Sequence, residues 1–159
     1  MIVKLNPDDQ EEAEKILKVQ IPAYEVEAEL INFHGIPQLK DTVQTIKNSK
    51  ETFLGYILQG ELAGFIAYTL DCAEIDICRL VVHPSHFRKG IARKLAGHVI
   101  SQAANNHQKL LVSTGSKNLP AKSLYHSLGF MEVKELEVSP GIYISLMELD
   151  TLGNTNIKK

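Results

Sequence analysis

Apolar and polar residues alternate over residues 1–5 and then give way to a helical spacing, which predicts a first strand followed by a helix. Asn6 suits an N-cap, Pro7 the first turn, and Asp8 and Asp9 the positive end of the helix dipole. Ala13, Ile16, Leu17 and Ile21 continue the helical period, and beyond Pro22 a second apolar series runs through Val26, Leu30 and Phe33. His34-Gly35-Ile36-Pro37 breaks the pattern, and Leu39, Val43 and Ile46 predict one more short helical piece. From Phe53 the period shortens to that of strands. Runs over 53–58 and 62–70, joined through Gln59-Gly60-Glu61, read as an antiparallel hairpin, with a third strand over about 73–82 ended by Pro84.

Ile91, Leu95 and Val99, flanked by Ala92, Ala96 and Ala103, predict an amphipathic helix starting near Gly90. A short buried strand follows over 110–114. Asn118 then caps a helix that turns Ala121, Leu124, Tyr125 and Leu128 inward, and Gly129 suits a left-handed stop. Two strands, roughly 130–138 and 142–149, are linked through Ser139-Pro140-Gly141. The order strand, helices, three strands, helix, strand, helix, two strands builds an α/β (α+β) domain. Its expected form is a mixed, mostly antiparallel central sheet of six to seven strands with helices on both faces. The domain is assigned to residues 1–150, and 151–159 to a polar C-terminal tail that frays.

Composition narrows the class. A chain of 159 residues with 44% hydrophobic and 23% charged residues can bury one core, and holds no apolar run long enough to span a membrane. The N-terminus lacks the apolar segment and cleavage site of a secretory signal, so a cytoplasmic protein is expected. Cys72 and Cys78 are too few for a disulfide scaffold and read as reduced thiols. A net charge of −2 gives no basic field for nucleic acid. The six histidines show no metal-ligand spacing, and no metal is expected.

Candidate chemistry concentrates between residues 80 and 130. In Leu80-Val81-Val82-His83-Pro84-Ser85-His86-Phe87-Arg88-Lys89-Gly90-Ile91-Ala92-Arg93 a buried strand passes through a tight loop straight into a helix. Such a corner exposes the unpaired N–H groups of the first helical turn. Gly90 lets an anion approach the main chain, and Arg88, Lys89 and Arg93 add positive charge. The competing reading is an ordinary strand-to-helix turn with solvated basic residues. The P-loop ending Gly-Lys-Ser/Thr is absent, so a diphosphate fits better than a triphosphate with magnesium.

This segment resembles the acetyl-CoA motif of the GNAT superfamily, the Gcn5-related N-acetyltransferases, whose pattern is Gln/Arg-x-x-Gly-x-Gly/Ala. Gly90-Ile91-Ala92 fits the second half, while Phe87 departs from the first position. Downstream, Asn118-Leu119-Pro120-Ala121-Lys122-Ser123-Leu124-Tyr125-His126-Ser127-Leu128-Gly129-Phe130 is similar to the family's Asn-x-x-Ala-x-x-Leu-Tyr-x-x-x-Gly-Phe at every named position.

The resemblance implies acetyl-CoA as co-substrate, with its pantetheine arm lying where two parallel strands splay apart. Leu80, Val81 and Val82 would offer main-chain groups on one side and residues 111–114 would form the other. Residues 88–93 would cradle the diphosphate: Arg88, Lys89, Gly90, Ile91, Ala92 and Arg93. Tyr125 would be the acid that protonates the departing thiolate, and Asn118 would contact the cofactor arm, cap its helix, or do both. An alkyl amine with a pKa of ~10.4 must lose a proton before attack, so a base is required. Glu74 and Asp76 are candidates, because strict alternation puts them on the strand side of Leu80 and Val82. Glu74 is preferred for the likeness of Ala73-Glu74-Ile75 to a glutamate-bearing strand of some family members; a solvated or salt-bridged carboxylate is the competing reading for both.

Cys78 suggests a covalent acetyl-enzyme, but no activating partner is visible beside it, and direct transfer is expected. Glu25, Glu27 and Glu29 form an acidic cluster suited to an amine acceptor or to a plain solvated helix face. The leading expectation is a monomeric or homodimeric enzyme acetylating a small-molecule amine, with no nucleic-acid or membrane partner. A protein N-terminal or lysine acetyltransferase and a non-catalytic CoA-binding module are the alternatives.

Overall fold

A computed structural model of the chain describes residues 1–151, and the polar tail expected over 151–159 lies, past Thr151, outside the described residues. Seven strands form one sheet: β1 (Ile2–Lys4), β2 (Thr52–Leu58), β3 (Glu61–Leu70), β4 (Glu74–Val82), β5 (Lys109–Gly115), β6 (Met131–Ser139) and β7 (Ile142–Asp150). Their spatial order is β1-β2-β3-β4-β5-β7-β6. Every neighbouring pair is antiparallel except β4 and β5. The parallel pair is the crossover, made through α3 (Ile91–Asn105) as a parallel connection requires.

Two helices cover one face. α1 (Gln10–Ile31) and α2 (Val43–Asn48) bury Ala13, Ile16, Val19 and Ile46 against Phe53 and Phe65, both fully excluded from water. Burial of each such aromatic is worth roughly 1.5–3 kcal/mol. The other face takes Leu95, Val99 and Ala103 of α3, together with Tyr125 of α4 (Leu119–Ser127) and Phe130, over Ile66, Ile75 and Leu110.

The N-terminal region departs from the expected boundaries. Asn6 does not cap the helix; its side chain accepts the Asp8 N–H in a local turn, and Asp9 caps α1 by accepting the N–H of Glu12. Pro22 does not divide the helix, which runs through it to a left-handed cap at Asn32. One lost backbone bond is outweighed by a buried stripe that continues on both sides of it, through Val19, Gln20, Tyr24 and Ala28.

The buried guanidinium of Arg79 ties this helical layer to the sheet. Nε and Nη2 donate to Glu51 at 2.9 and 3.1 Å, and Nη1 donates to Gln20 and Asp41. Gln20 in turn donates to the Gln38 carbonyl, within the 3-10 turn Pro37–Lys40. Among the described residues, no helix is long and apolar enough to cross a membrane.

Candidate active site

The parallel strands part halfway along. β4 and β5 are in register from Glu74 opposite Lys109 to Ile77 opposite Val112, and beyond that point their ladder stops. Residues 78–82 and 113–115 form the two arms of a splay. The His83 N–H donates to the Ala63 carbonyl, which sets the phase of the β3–β4 ladder. Antiparallel alternation then commits the main chain of Arg79 and Val81 to β3 and turns that of Leu80 and Val82 toward the open side. Of the three residues expected to offer main-chain groups, Val81 is therefore occupied, and its side chain lies in the α1-side core.

A corner with free amides sits at the end of the β4 arm. Gly90 is the N-cap of α3 with φ of 76° and no side-chain cap, and Arg88 is also left-handed at φ 64°. Among the described residues, the N–H groups of residues 88–93 find no protein acceptor; the first helical donor is Lys94, to the Gly90 carbonyl. A Cβ built on Gly90 would meet nothing within 4 Å, so the space before these amides is open. Alternating main-chain hands with outward N–H groups make an anion nest. Arg88 and Lys89 are exposed beside it, while Arg93 reaches α4 and donates to Ser127 Oγ at 2.6 Å. A groove continues from this corner along Leu80, Val82, Ile91, Ala121 and Leu124 to Tyr125.

On the α1 side the splay opens into a cavity of about 490 Å³, lined in part by Tyr24, Glu27, Arg79, Leu80, Asn118, Ala121 and Tyr125. Leu80, Ala121 and Tyr125 line both the groove and the cavity, so Tyr125 stands where the two meet. Its ring is packed edge-on against Phe130. Burial, reinforced by the charge of Glu27, lifts its phenol above the usual range and keeps it protonated at neutral pH. Every fully buried polar side-chain atom among the described residues has a partner, whereas no described residue hydrogen-bonds the Tyr125 hydroxyl. That hydroxyl therefore opens to the cavity.

Glu27, which the sequence placed in an acidic cluster with Glu25 and Glu29 but not among the candidate bases, lines the cavity. Burial raises its pKa above the ordinary carboxylate range, and the Asn118 side chain, donating to Oε1 at 3.0 Å, partly offsets the rise. Asn118 uses its other end as the cap of α4, accepting the Ala121 N–H. One amide thus links the helix carrying Tyr125 to the helix carrying Glu27. A signal existed: Gln20, Tyr24 and Ile31 are buried at helical spacing, and Glu27 falls on that stripe, while Glu25 and Glu29 are exposed.

Glu74 and Asp76 do not reach this place, which corrects their expected alignment. They pair with Lys109 and Leu111 at the closed end of the ladder and line no part of the cavity. Strict alternation fails because β4 carries a bulge: Ala67 faces Arg79 but Tyr68 faces Ile77, leaving Cys78 unpaired. Ile77 and Leu80 consequently share the α3 face, and Glu74 and Asp76 point to the opposite one. Asp76 is itself pushed up by desolvation, then by Glu74 and Glu51. The bulged Cys78 lines the cavity, but burial, with Glu51 and Asp76 beside it, raises its thiol to about 11. A thiol so protonated at neutral pH is a poor nucleophile. Among the described residues, no three His, Cys, Asp or Glu side chains cluster as metal ligands would.

A family model described as an acetyltransferase (GNAT) domain matches residues 13–151. The UPF0157 protein YqkA of Bacillus subtilis is 44% identical over 137 residues, 86% of this chain and 40% of that protein, so the chain spans 40% of that relative's length. The solved ribosomal-protein-S18-alanine N-acetyltransferase of Escherichia coli is similar with a TM-score of 0.77 at 19% identity, covering 95% of this chain and 93% of that one. The PaiA N-acetyltransferase of Thermoplasma acidophilum, solved in complex with coenzyme A, gives 0.74 at 18% identity over 94% and 98% of the two chains. At these identities the two structures speak for the fold.

Proposed function

The chain belongs to the GNAT acetyltransferases, and on that premise we propose that it transfers an acetyl group from acetyl-CoA directly to the primary amine of a small molecule. One observation carries the proposal: unpaired amides at 88–93 open onto a groove that ends at Tyr125, and Tyr125 also lines a cavity holding Glu27. An anion nest, a slot for an extended arm and an acid beside a base then stand in a row.

The residues at the corner fit a diphosphate, with Gly90 leaving room and Arg88 and Lys89 supplying charge. Leu80 and Val82 turn main-chain groups into the splay, as an added strand would require. Acetyl-CoA supplies the thioester carbonyl and the thiolate leaving group. Glu27, rather than Glu74 or Asp76, takes the proton of the acceptor ammonium, since it alone of the three lines the cavity. A carboxylate pKa raised toward neutrality suits a base that must also release its proton afterwards. Glu27 passes that first proton to solvent and takes the second one, which nitrogen loses on attack. Tyr125 protonates the departing sulfur and is reprotonated from the Glu27 side, so two protons leave the ammonium, one reaching the thiol and one the solvent. Cys78, protonated, takes no covalent part.

The test is thiol release from acetyl-CoA with a panel of amines, comparing wild type with Tyr125→Phe. Turnover should fall by about 10²-fold, the size of a general-acid contribution, while CoA binding measured by calorimetry stays within a factor of about three. Equal turnover in the variant would remove Tyr125 as the acid. A protein N-terminus as acceptor is the alternative; a cavity of about 490 Å³ favours the small molecule.

A further inference from the structure

The cavity beyond the splay combines one carboxylate, hydrogen-bonded by Asn118 but in no ion pair among the described residues, with a mostly apolar wall, and its chemistry specifies more than an amine. Among the described residues, Glu27 is the single acidic side chain lining it and Arg79 the single cation. Arg79 is not free to bind a ligand, because its guanidinium is already taken up by Glu51, Asp41 and Gln20. The remaining wall is mostly apolar, with Phe33, Ile36, Ile142, Tyr143 and Ile144, but it also includes Ser113 and Thr114.

Each class of acceptor meets this wall differently. A polyamine would place a second ammonium in hydrocarbon with no carboxylate to meet it. An α-amino acid would bring a carboxylate for which the lining, among the described residues, offers no unpaired cation. Each polar group left unpaired on burial costs about 1–3 kcal/mol. A hydrocarbon body meets no such penalty and gains from leaving water.

Resting on the transferase reading above, we propose that the acceptor is a hydrocarbon monoamine: one primary amine on an arylalkyl or branched-alkyl body, with no second charge. The amine nitrogen bonds to the acetyl carbon as the carbon–sulfur bond breaks. Its displaced proton passes to Glu27, and the thiol departs with the proton of Tyr125. Specificity lies in what the wall refuses, since the site holds one counter-charge and no second one.

The experiment measures thiol release and product mass for the full chain with acetyl-CoA. 2-Phenylethylamine and isopentylamine are compared with phenylalanine, spermidine, glucosamine and a short peptide with a free N-terminal alanine. The hydrocarbon monoamines should lead in kcat/KM by about 10- to 100-fold, the ratio that one unpaired buried polar group produces. If any of the other four exceeds both, transfer itself stands and the acceptor class is wrong. If no amine releases thiol while calorimetry still shows CoA bound, the transferase reading fails and the acceptor class goes with it. Tyr143→Glu adds a second carboxylate at a side chain already 43% exposed, where the fold should tolerate it. It should shift the ratio of spermidine to 2-phenylethylamine upward by about tenfold, and an unchanged ratio would overturn the charge argument.

Discussion

The two faces of the sheet are built by opposite means. On the α3 side the corner proposed for the diphosphate is made of main-chain N–H groups from consecutive residues, 88–93, and needs only a glycine and a left-handed turn. On the α1 side the cavity is made of side chains drawn from far apart: Asn118 reaches Glu27 across 91 positions and Arg79 reaches Gln20 across 59. The face proposed for the cofactor thus depends on local conformation, and the face proposed for the acceptor on the packing of α1 against the sheet. A shared co-substrate can be held by backbone geometry that tolerates many side chains, whereas acceptor choice resides where side chains and packing vary.

The sharpest way to break this contrast is to cut α1 from the sheet. Arg79→Met leaves Asp41 and Glu51 buried without their cation; the three side chains are only 8%, 15% and 10% exposed. Stability in urea should fall by about 3–5 kcal/mol. Amide exchange should quicken first in α1 and the Pro37–Lys40 turn, and later in α3. Uniform acceleration over both faces would mean that the layers do not differ in this way.

The next effect tests the base. Glu27→Gln should lower kcat/KM for a primary amine by about 10³-fold near neutral pH, with CoA affinity preserved. A second readout comes from stability. Because burial raises the folded pKa of Glu27, the folded chain keeps a proton that the unfolded chain loses as pH rises above the ordinary carboxylate range. Stability should decline with rising pH through that window, from the unfolded value up to the folded one, and the Gln variant should lose this slope.

This contrast also explains what the sequence could show. The order of elements along the chain and the two motifs were legible because each depends on neighbours in the chain, as Pro84 ends β4, Gly90 starts α3 and Asn118 caps α4, whereas the splay was implied only by the family resemblance. Glu27 was hidden among three similar glutamates, since nothing local marks which of them meets Asn118. Glu74 and Asp76 share a face with Leu80 and Val82 only if alternation is unbroken. The bulge at Cys78 is a property of β3 and β4 together, and no residue type announces it. Pro22 likewise read as a break because its penalty is local and the packing that overrides it is not.

A smaller effect is expected at the corner itself. Gly90→Leu introduces a side chain where φ is 76° and the surroundings are open, so the obstacle is backbone strain and a blocked nest. The dissociation constant for CoA should rise about tenfold, near the strain of roughly 1–2 kcal/mol for that conformation. The KM for the amine should be unchanged. A rise in amine KM with intact CoA binding would place the corner on the wrong side of the reaction.

The smallest expected effect separates the two duties of Asn118. Serine caps helices about as well as asparagine, so Asn118→Ser should keep the cap and lose no more stability than the roughly 1–3 kcal/mol of one buried hydrogen bond. Serine cannot reproduce the amide N–H donated to Glu27 Oε1. That hydrogen bond favours the charged carboxylate and lowers its pKa, so its loss should raise Glu27 further. A base with a higher pKa is deprotonated later, and the acid limb of the kcat/KM profile should move to higher pH. Well above that limb the variant should recover most of the wild-type rate, because the carboxylate is ionised in both. A uniform loss at all pH values would instead mean that Asn118 acts on the cofactor arm, and that the link between the two helices carries no catalytic weight.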